Sequence, residues 1–224
     1  MAQISEAAAA LHRQALVIDS HNDSIVYHIR QGNRSMSGQP DPVLAERAGI
    51  VRYLRGPLES RLQDAEPQLN WPKMRAGGLD AAFFAVDVTR AWRKHLAYAL
   101  DAHGFFAADL ERHADEVLVA RCADDICTAR ASGKLGVVLT IENSEALDGS
   151  INVLRMLHHM GIRAISLTHN PRALAADGIG ETRTGGGLTE FGLRLVQEMN
   201  QLGILVDVSH LSERGFWDVM EVSR

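Results

Sequence analysis

The chain has 224 residues, 46% hydrophobic and 23% charged with only 5% aromatic, which excludes a disordered or fibrous polypeptide and supplies enough apolar surface for a sizeable core. A net charge of −5, with 23 basic residues scattered rather than massed on one stripe, excludes nucleic acid as an expected partner. No apolar run approaches the roughly 20 residues needed to cross a bilayer, so no membrane span is expected. The N-terminus has an early Glu6 and lacks a basic stretch followed by a leucine-rich run, so no secretory signal is expected either. Cys122 and Cys127 match the spacing of neither a zinc knuckle nor a redox pair; as two ordinary thiols they fit a cytoplasmic location. No Ser/Gly/Pro-rich linker divides the chain, so residues 1–224 read as a single domain.

In chain order, residues 5–14 are alanine-rich with Glu6 early and His12 and Arg13 late, a short helix whose end charges suit its dipole. Leu16, Val17 and Ile18 then open a buried strand, an apolar run too short for a helix that turns polar through His21, Asn22 and Asp23. Side chains two apart on a strand share a face, so His21 and Asp23 project together with Cβ atoms roughly 6–7 Å apart, close enough to grip one ion. Asp19 shares that face, where it would either support a ligand or make a structural hydrogen bond. Residues 30–78, punctuated by glycines and prolines, read as an irregular insertion with helical pieces at 43–54 and 58–65.

A second strand covers 79–88, with Phe83 and Phe84 facing opposite ways. Trp92, Leu96, Leu100, His103, Phe106 and Leu110 carry helical spacing across 91–114, and 123–131 is another short helix. The third strand, 135–141, stops at Glu142. Ser150 caps a helix ending at Gly161, with Ile151, Leu154 and Leu157 turned inward. The fourth strand, 163–168, runs into His169, Asn170 and Pro171. Gly185, Gly186 and Gly187 do not directly follow a strand and lack a following Lys-Ser/Thr, so they read as a flexible active-site loop rather than a phosphate loop. Thr189 caps a helix whose apolar stripe includes Leu195, Val196 and Met199, and Gly203 ends it. The fifth strand, 204–208, delivers His210, with Asp207 alternating away from it as a barrel-to-helix contact; an amphipathic piece follows over 213–222. The remaining histidines, 12, 28, 95, 103, 113, 158 and 159, lack convergent partners and read as surface or packing residues.

Five strands alternating with helices specify a parallel α/β fold, in which every strand's C-terminal end lies on one face. Four of the five ends carry a ligand-type residue: His21 and Asp23, Glu142, His169 and His210. Imidazoles and carboxylates without thiolates suit Zn²⁺ or a similar first-row ion in a catalytic site, and a carboxylate between two imidazole groups could bridge two ions.

His21-Asn22-Asp23, Ile141-Glu142-Asn143, Leu167-Thr168-His169-Asn170, Gly187 to Gly192 and Val206-Asp207-Val208-Ser209-His210 together resemble the successive motifs of the membrane (renal) dipeptidase family of the amidohydrolase superfamily. Pro72 to Gly78 resembles it too. The resemblance implies a TIM-type (β/α)₈ barrel, of which this chain holds about five of eight units, and a binuclear zinc centre. On that resemblance His21 and Asp23 bind one zinc, Glu142 bridges both ions as metal ligand and catalytic residue, and His210 binds the second. His169 contacts substrate and polarises the scissile carbonyl, and a metal-bridging hydroxide attacks the peptide bond of a dipeptide. The family would supply a further histidine ligand, an arginine and an aspartate from later strands, so a partial barrel ending before the sixth strand is expected to hold one zinc or fewer tightly and to be inactive or impaired. Such an arc exposes edges and is expected, alone, to be aggregation-prone, self-associating or poorly ordered, or to take up a complementing C-terminal segment. A non-catalytic, metal-binding or self-associating remnant is the alternative. Other amidohydrolases usually begin with His-x-His, whereas here Asn22 lies between His21 and Asp23.

Overall fold

Each strand lies parallel to its neighbour, because a helical return carries the chain back across the sheet before the next strand begins. The computed structural model of the chain describes residues 4–47, 49, 67–89 and 94–224. Its strands are β1 (Ile18–Asn22), β2 (Ala81–Asp87), β3 (Val117–Val119), β4 (Leu135–Glu142), β5 (Ile162–Ser166) and β6 (Leu205–Asp207). The path runs β1-β2-β4-β5-β6, the five-stranded arc of a partial TIM-type barrel, and β3 pairs with β4 alone. β3 is an addition to the expected five. Its three residues meet only the first part of β4, Leu135 to Val137, and are too few to show a period in the sequence.

β4 is buried at every position, which is why 135–142 reads as a nearly unbroken apolar run ending in a carboxylate. Around it the two faces separate as the alternation of Phe83 and Phe84 requires. Phe84 packs against Trp71 of the helix Trp71–Gly77 (centroids 5.6 Å apart) and Phe106 of the helix His95–Arg112 (5.2 Å). Phe83 turns the other way, onto Ala81, Ala120, Ile126 and Val138. All three outer aromatics are fully buried, a hydrophobic anchor worth several kcal/mol per ring.

The helices, in chain order, are α1 (Glu6–Gln14), α2 (Ser24–Arg30), α3 (Pro42–Ala45), α4 (Trp71–Gly77), α5 (His95–Arg112), α6 (Ala123–Ala131), α7 (Ile151–Met160), α8 (Glu190–Leu202) and α9 (Glu213–Val222). Their ends follow cap chemistry: Ser150 and Thr189 accept from Val153 N and Gly192 N, and Gly161 and Gly203 close α7 and α8 with left-handed backbone.

The described parts of the insertion, 30–47 and 67–78, carry more regular structure than their sequence reads. α2, just before the insertion, and α4 within it are additions to the expected elements; α4 carries start and stop signals in Asn70, whose Oδ1 accepts from Lys73 N at 2.9 Å, in Pro72, and in Gly78 at φ 72°. Of the expected piece at 43–54 the described part is helical only over Pro42–Ala45, and the piece at 58–65 and Trp92 lie outside the described residues. Buried Asp109 of α5 accepts from Ser35 Oγ and Met36 N, both at 2.7 Å, and so ties the insertion to the outer helical layer.

Two further expectations change. β1 starts at Ile18 rather than Leu16 and contains His21, and it is not a buried strand: Ile18 is 39% exposed because β1 is one end of the path, as Leu205 of β6 is 57% exposed at the other. The glycine loop packs against α9 and the residue that caps it. Ser212 Oγ donates to Gly186 O at 2.8 Å and Leu188 N to Asp218 Oδ2 at 3.0 Å, and a Cβ on Gly187 would stand 2.0 Å from that same carboxylate. Gly186 and Gly187 permit close approach to Asp177 and Asp218, whereas Gly185 supplies left-handed backbone at φ 65°.

Candidate metal centre

Glu142 ends β4 with its carboxylate at the C-terminal face of the sheet and only 4% of the residue exposed. Around it stand three imidazoles. His210 Nε2 lies 3.1 Å from Glu142 Oε1, His169 Nε2 lies 3.7 Å from the same oxygen, and His21 Nε2 lies 3.8 Å from Oε2. Asp23 Oδ1 is 3.7 Å from His21 Nε2. These atoms form two groups, His21–Asp23–Glu142 and Glu142–His169–His210, each with its ligand atoms within 4.8 Å of one another. Every residue nominated from the sequence is therefore brought to one place.

The donor set fits a divalent ion. Two atoms each about 2.1 Å from a tetrahedral zinc lie about 3.4 Å apart, and the separations above bracket that value. Nitrogen and carboxylate oxygen without sulfur is the chemistry of a catalytic rather than a structural zinc site.

His21 and Asp23 meet by a route other than regular alternation. The strand breaks at Asp23, which sits at φ −99°, ψ 24° as the residue preceding α2. Asn22 holds that corner: its Nδ2 donates to Phe83 O of β2 at 2.9 Å and its Oδ1 accepts from Ser24 N at 3.2 Å. Asp19 accepts from the His21 backbone N and from Asn22 Nδ2, both at 3.3 Å, so it supports the turn and not the His21 ring.

The other wall is built from loops. The His169 and His210 rings stack with centroids 4.3 Å apart. His210 has left-handed backbone at φ 65°, uncommon for a residue with a side chain, and its carbonyl accepts from Ile179 N at 2.7 Å. Its Nδ1 faces Asn170 Oδ1 at 3.0 Å.

Two carboxylates missed as site residues share this face. Asp87, the last residue of β2, pairs in register with Glu142, and Asp207 pairs with Ser166 of β5. Partners in a parallel ladder project to the same side, and the pairing of Ile141 with Ile165 carries the register of Glu142 on to Ser166, so Asp207 lies on the Glu142 side rather than on the helix-facing side that the sequence suggests. Asp87 is legible in the sequence as the carboxylate at the end of the one strand that supplies no other ligand. Electrostatics follow from this crowding. Burial, followed by the charges of Asp87 and Asp23, pushes the Glu142 carboxyl up to about 7 against the pull of His21 and His210. The carboxylate of Asp23, 3.7 Å from the ring, raises His21 to about 8 in spite of its burial, with Glu142 and Asp207 adding to the rise. A buried carboxyl raised by neighbouring carboxylates is a site short of positive charge.

Several other histidines serve packing. His28 bonds Leu69 O at 2.9 Å and Arg34 O at 3.3 Å, and His103 bonds Thr140 O at 3.0 Å, its burial lowering it to about 4. Both cysteines are free and exposed. Among the described residues no helix is long and apolar enough to cross a membrane.

A parallel α/β arc with imidazoles and carboxylates gathered at its C-terminal strand ends is the architecture of a partial (β/α) barrel with a candidate metal centre. The chain belongs to the membrane dipeptidase family, peptidase family M19, whose profile matches residues 5–224. An uncharacterized dipeptidase of Schizosaccharomyces pombe is 32% identical over 198 residues, 76% of this chain and 47% of its own length. The crystal structure of dipeptidase AC, a metallopeptidase of family M19, superposes with a TM-score of 0.73 at 26% identity, covering 92% of this chain and 60% of that one. A metallopeptidase of Rhodobacter sphaeroides, solved with a phosphinate mimic of the dipeptide L-Ala-D-Ala, gives 0.71 at 25% identity over 92% and 62%. The chain spans about half the length of the first of these relatives.

Proposed function

We propose that these residues are the metal-binding part of a zinc-dependent dipeptidase that hydrolyses the peptide bond of dipeptides. The observation that carries this reading is the sharing of buried Glu142 between two sets of imidazole and carboxylate donors. His21 and Asp23 would hold one ion with Glu142, and His210 the second. Bound zinc would supply Lewis-acid polarisation of the scissile carbonyl and a water acidified toward neutral pH. His169, stacked on His210 with its side chain 26% exposed, is placed to contact the substrate and to hydrogen-bond its carbonyl oxygen as charge develops there. Asp87 and Asp207 add negative charge on the same face, which favours the loaded state.

Within this chain the first ion has three of the assigned ligands and the second has two, Glu142 and His210. At most one zinc is therefore held tightly, the second ion binds more weakly at the His210 side, and turnover by these 224 residues alone is low. The exposed ends β1 and β6 support a second reading, a metal-binding chain that self-associates or takes up a complementing segment along those edges. The exposed free thiols support a reducing, cytoplasmic location. Zinc analysis of the purified chain paired with a dipeptide-release assay tests the reading, alone and joined to a barrel-completing segment. The dipeptidase account expects zinc in both preparations and amino-acid release chiefly from the joined one; zinc uptake without release in the joined form favours the second reading.

A further inference from the structure

We propose that Asn170 is the positioning residue of the His210 half of the site, its carboxamide oxygen accepting the Nδ1 proton of His210 so that the Nε2 lone pair is turned toward Glu142. This inference rests on the reading of His210 as a metal ligand. Asn170 follows His169 at the end of the β5 segment, and its Oδ1 lies 3.0 Å from His210 Nδ1 while Nε2, across the ring, lies 3.1 Å from Glu142 Oε1. An imidazole ligates only through an unprotonated nitrogen, and which nitrogen that is follows from the hydrogen bond made by the other. With no partner at Nδ1 the ring is free to carry its proton on Nε2, the nitrogen needed for the ion.

The main chains on both sides of this contact are clamped by one short segment. Gly180 N donates to Asn170 O at 2.8 Å and Ile179 N donates to His210 O at 2.7 Å. A Cβ on Gly178 would stand 2.2 Å from His169 O and 2.4 Å from Asn170 O, so only glycine lets the segment sit between the two loops. The clamp also holds His210 at φ 65°, a conformation that surrounding contacts must maintain. Asn170 and residues 178–180 together fix the backbone, the ring plane and the protonated nitrogen of His210 before any ion arrives.

The test is zinc titration by calorimetry on the 224-residue chain, with His21→Ala and His210→Ala identifying the uptake that each half-site controls. In Asn170→Leu the His210-dependent uptake should weaken about ten- to a hundredfold, as loss of such a partner does elsewhere. Asn170→Asp, which keeps an acceptor at the same reach, should restore it, and the His21-dependent uptake should stay unchanged in both variants. In the zinc-saturated wild type, nitrogen NMR of the His210 ring should show the proton on Nδ1. Equal weakening in the Leu and Asp variants, weakening of both half-sites alike, or a proton on Nε2 with zinc bound would each overturn the positioning role while leaving the metal reading in place. Wild-type uptake indifferent to His210→Ala would remove His210 as a ligand, and the inference with it.

Discussion

The two walls of the site reach the same geometry by different means. On the β1 side, His21 and Asp23 are neighbours in sequence, brought together at a strand-to-helix corner that Asn22 pins to β2, and their side chains are 38% and 59% exposed. On the β5–β6 side, His169 and His210 are far apart in sequence, stacked on one another and braced by residues 178–180. A local corner with exposed ligands can adjust to an ion, whereas a clamped pair must be right beforehand. Glu142 belongs to both walls and is the most buried of the five.

Removing the shared residue should therefore have the largest effect. Glu142→Ala takes a ligand from both groups, and we expect the purified variant to retain no zinc by elemental analysis, where His21→Ala or His210→Ala each leaves part of the uptake. Zinc content equal to wild type would break the shared-ligand account. Next is the brace: Gly178→Ala forces the loops apart and should cost about 1–3 kcal/mol in denaturant unfolding, as overpacking does, together with loss of the His210-dependent zinc uptake. A variant as stable as wild type would show that the β5–β6 wall is as adaptable as the other.

The pH response sharpens the comparison from the side of the protons. In the metal-free fold Glu142 is raised from 4.5 to about 7 and His21 from 6.5 to about 8, so the folded state binds protons more tightly than the unfolded chain at both. The contribution of Glu142 is full below 4.5 and lost as pH rises through 7; that of His21 is full below 6.5 and lost through 8. The melting temperature in chelator should accordingly fall across that range. Zinc, which takes the place of these protons, should flatten the fall and release protons on binding. The smallest effect belongs to Asp19→Ala, which removes a hydrogen bond to the His21 backbone and should cost about 0.5–1.5 kcal/mol without abolishing zinc uptake.

What was legible in the sequence and what was not divides along the same line. Helix ends set by Ser150, Thr189, Gly161 and Gly203 were readable because cap chemistry is local, and the ligands could be nominated because parallel strands converge at one end. β3 was hidden by its length. α4 was legible in Asn70, Pro72 and Gly78 but was masked by the surrounding prolines of the insertion. Alternation counted from His210 puts Asp207 on the wrong side, because the left-handed backbone of His210 breaks the period; the ladder pairing with Ser166 decides its face. Asn170 depends on a contact between two loops, and no spacing in the sequence encodes it.

The central claim is that one buried carboxylate organises a metal site from donors on separate strands, and anomalous diffraction at the zinc edge from crystals of the zinc-loaded chain tests it most directly. The account predicts a zinc peak about 2.0–2.2 Å from a Glu142 carboxylate oxygen, with His21 and Asp23 completing its coordination. Zinc bound elsewhere on the chain, with Glu142 outside its coordination sphere, would contradict it.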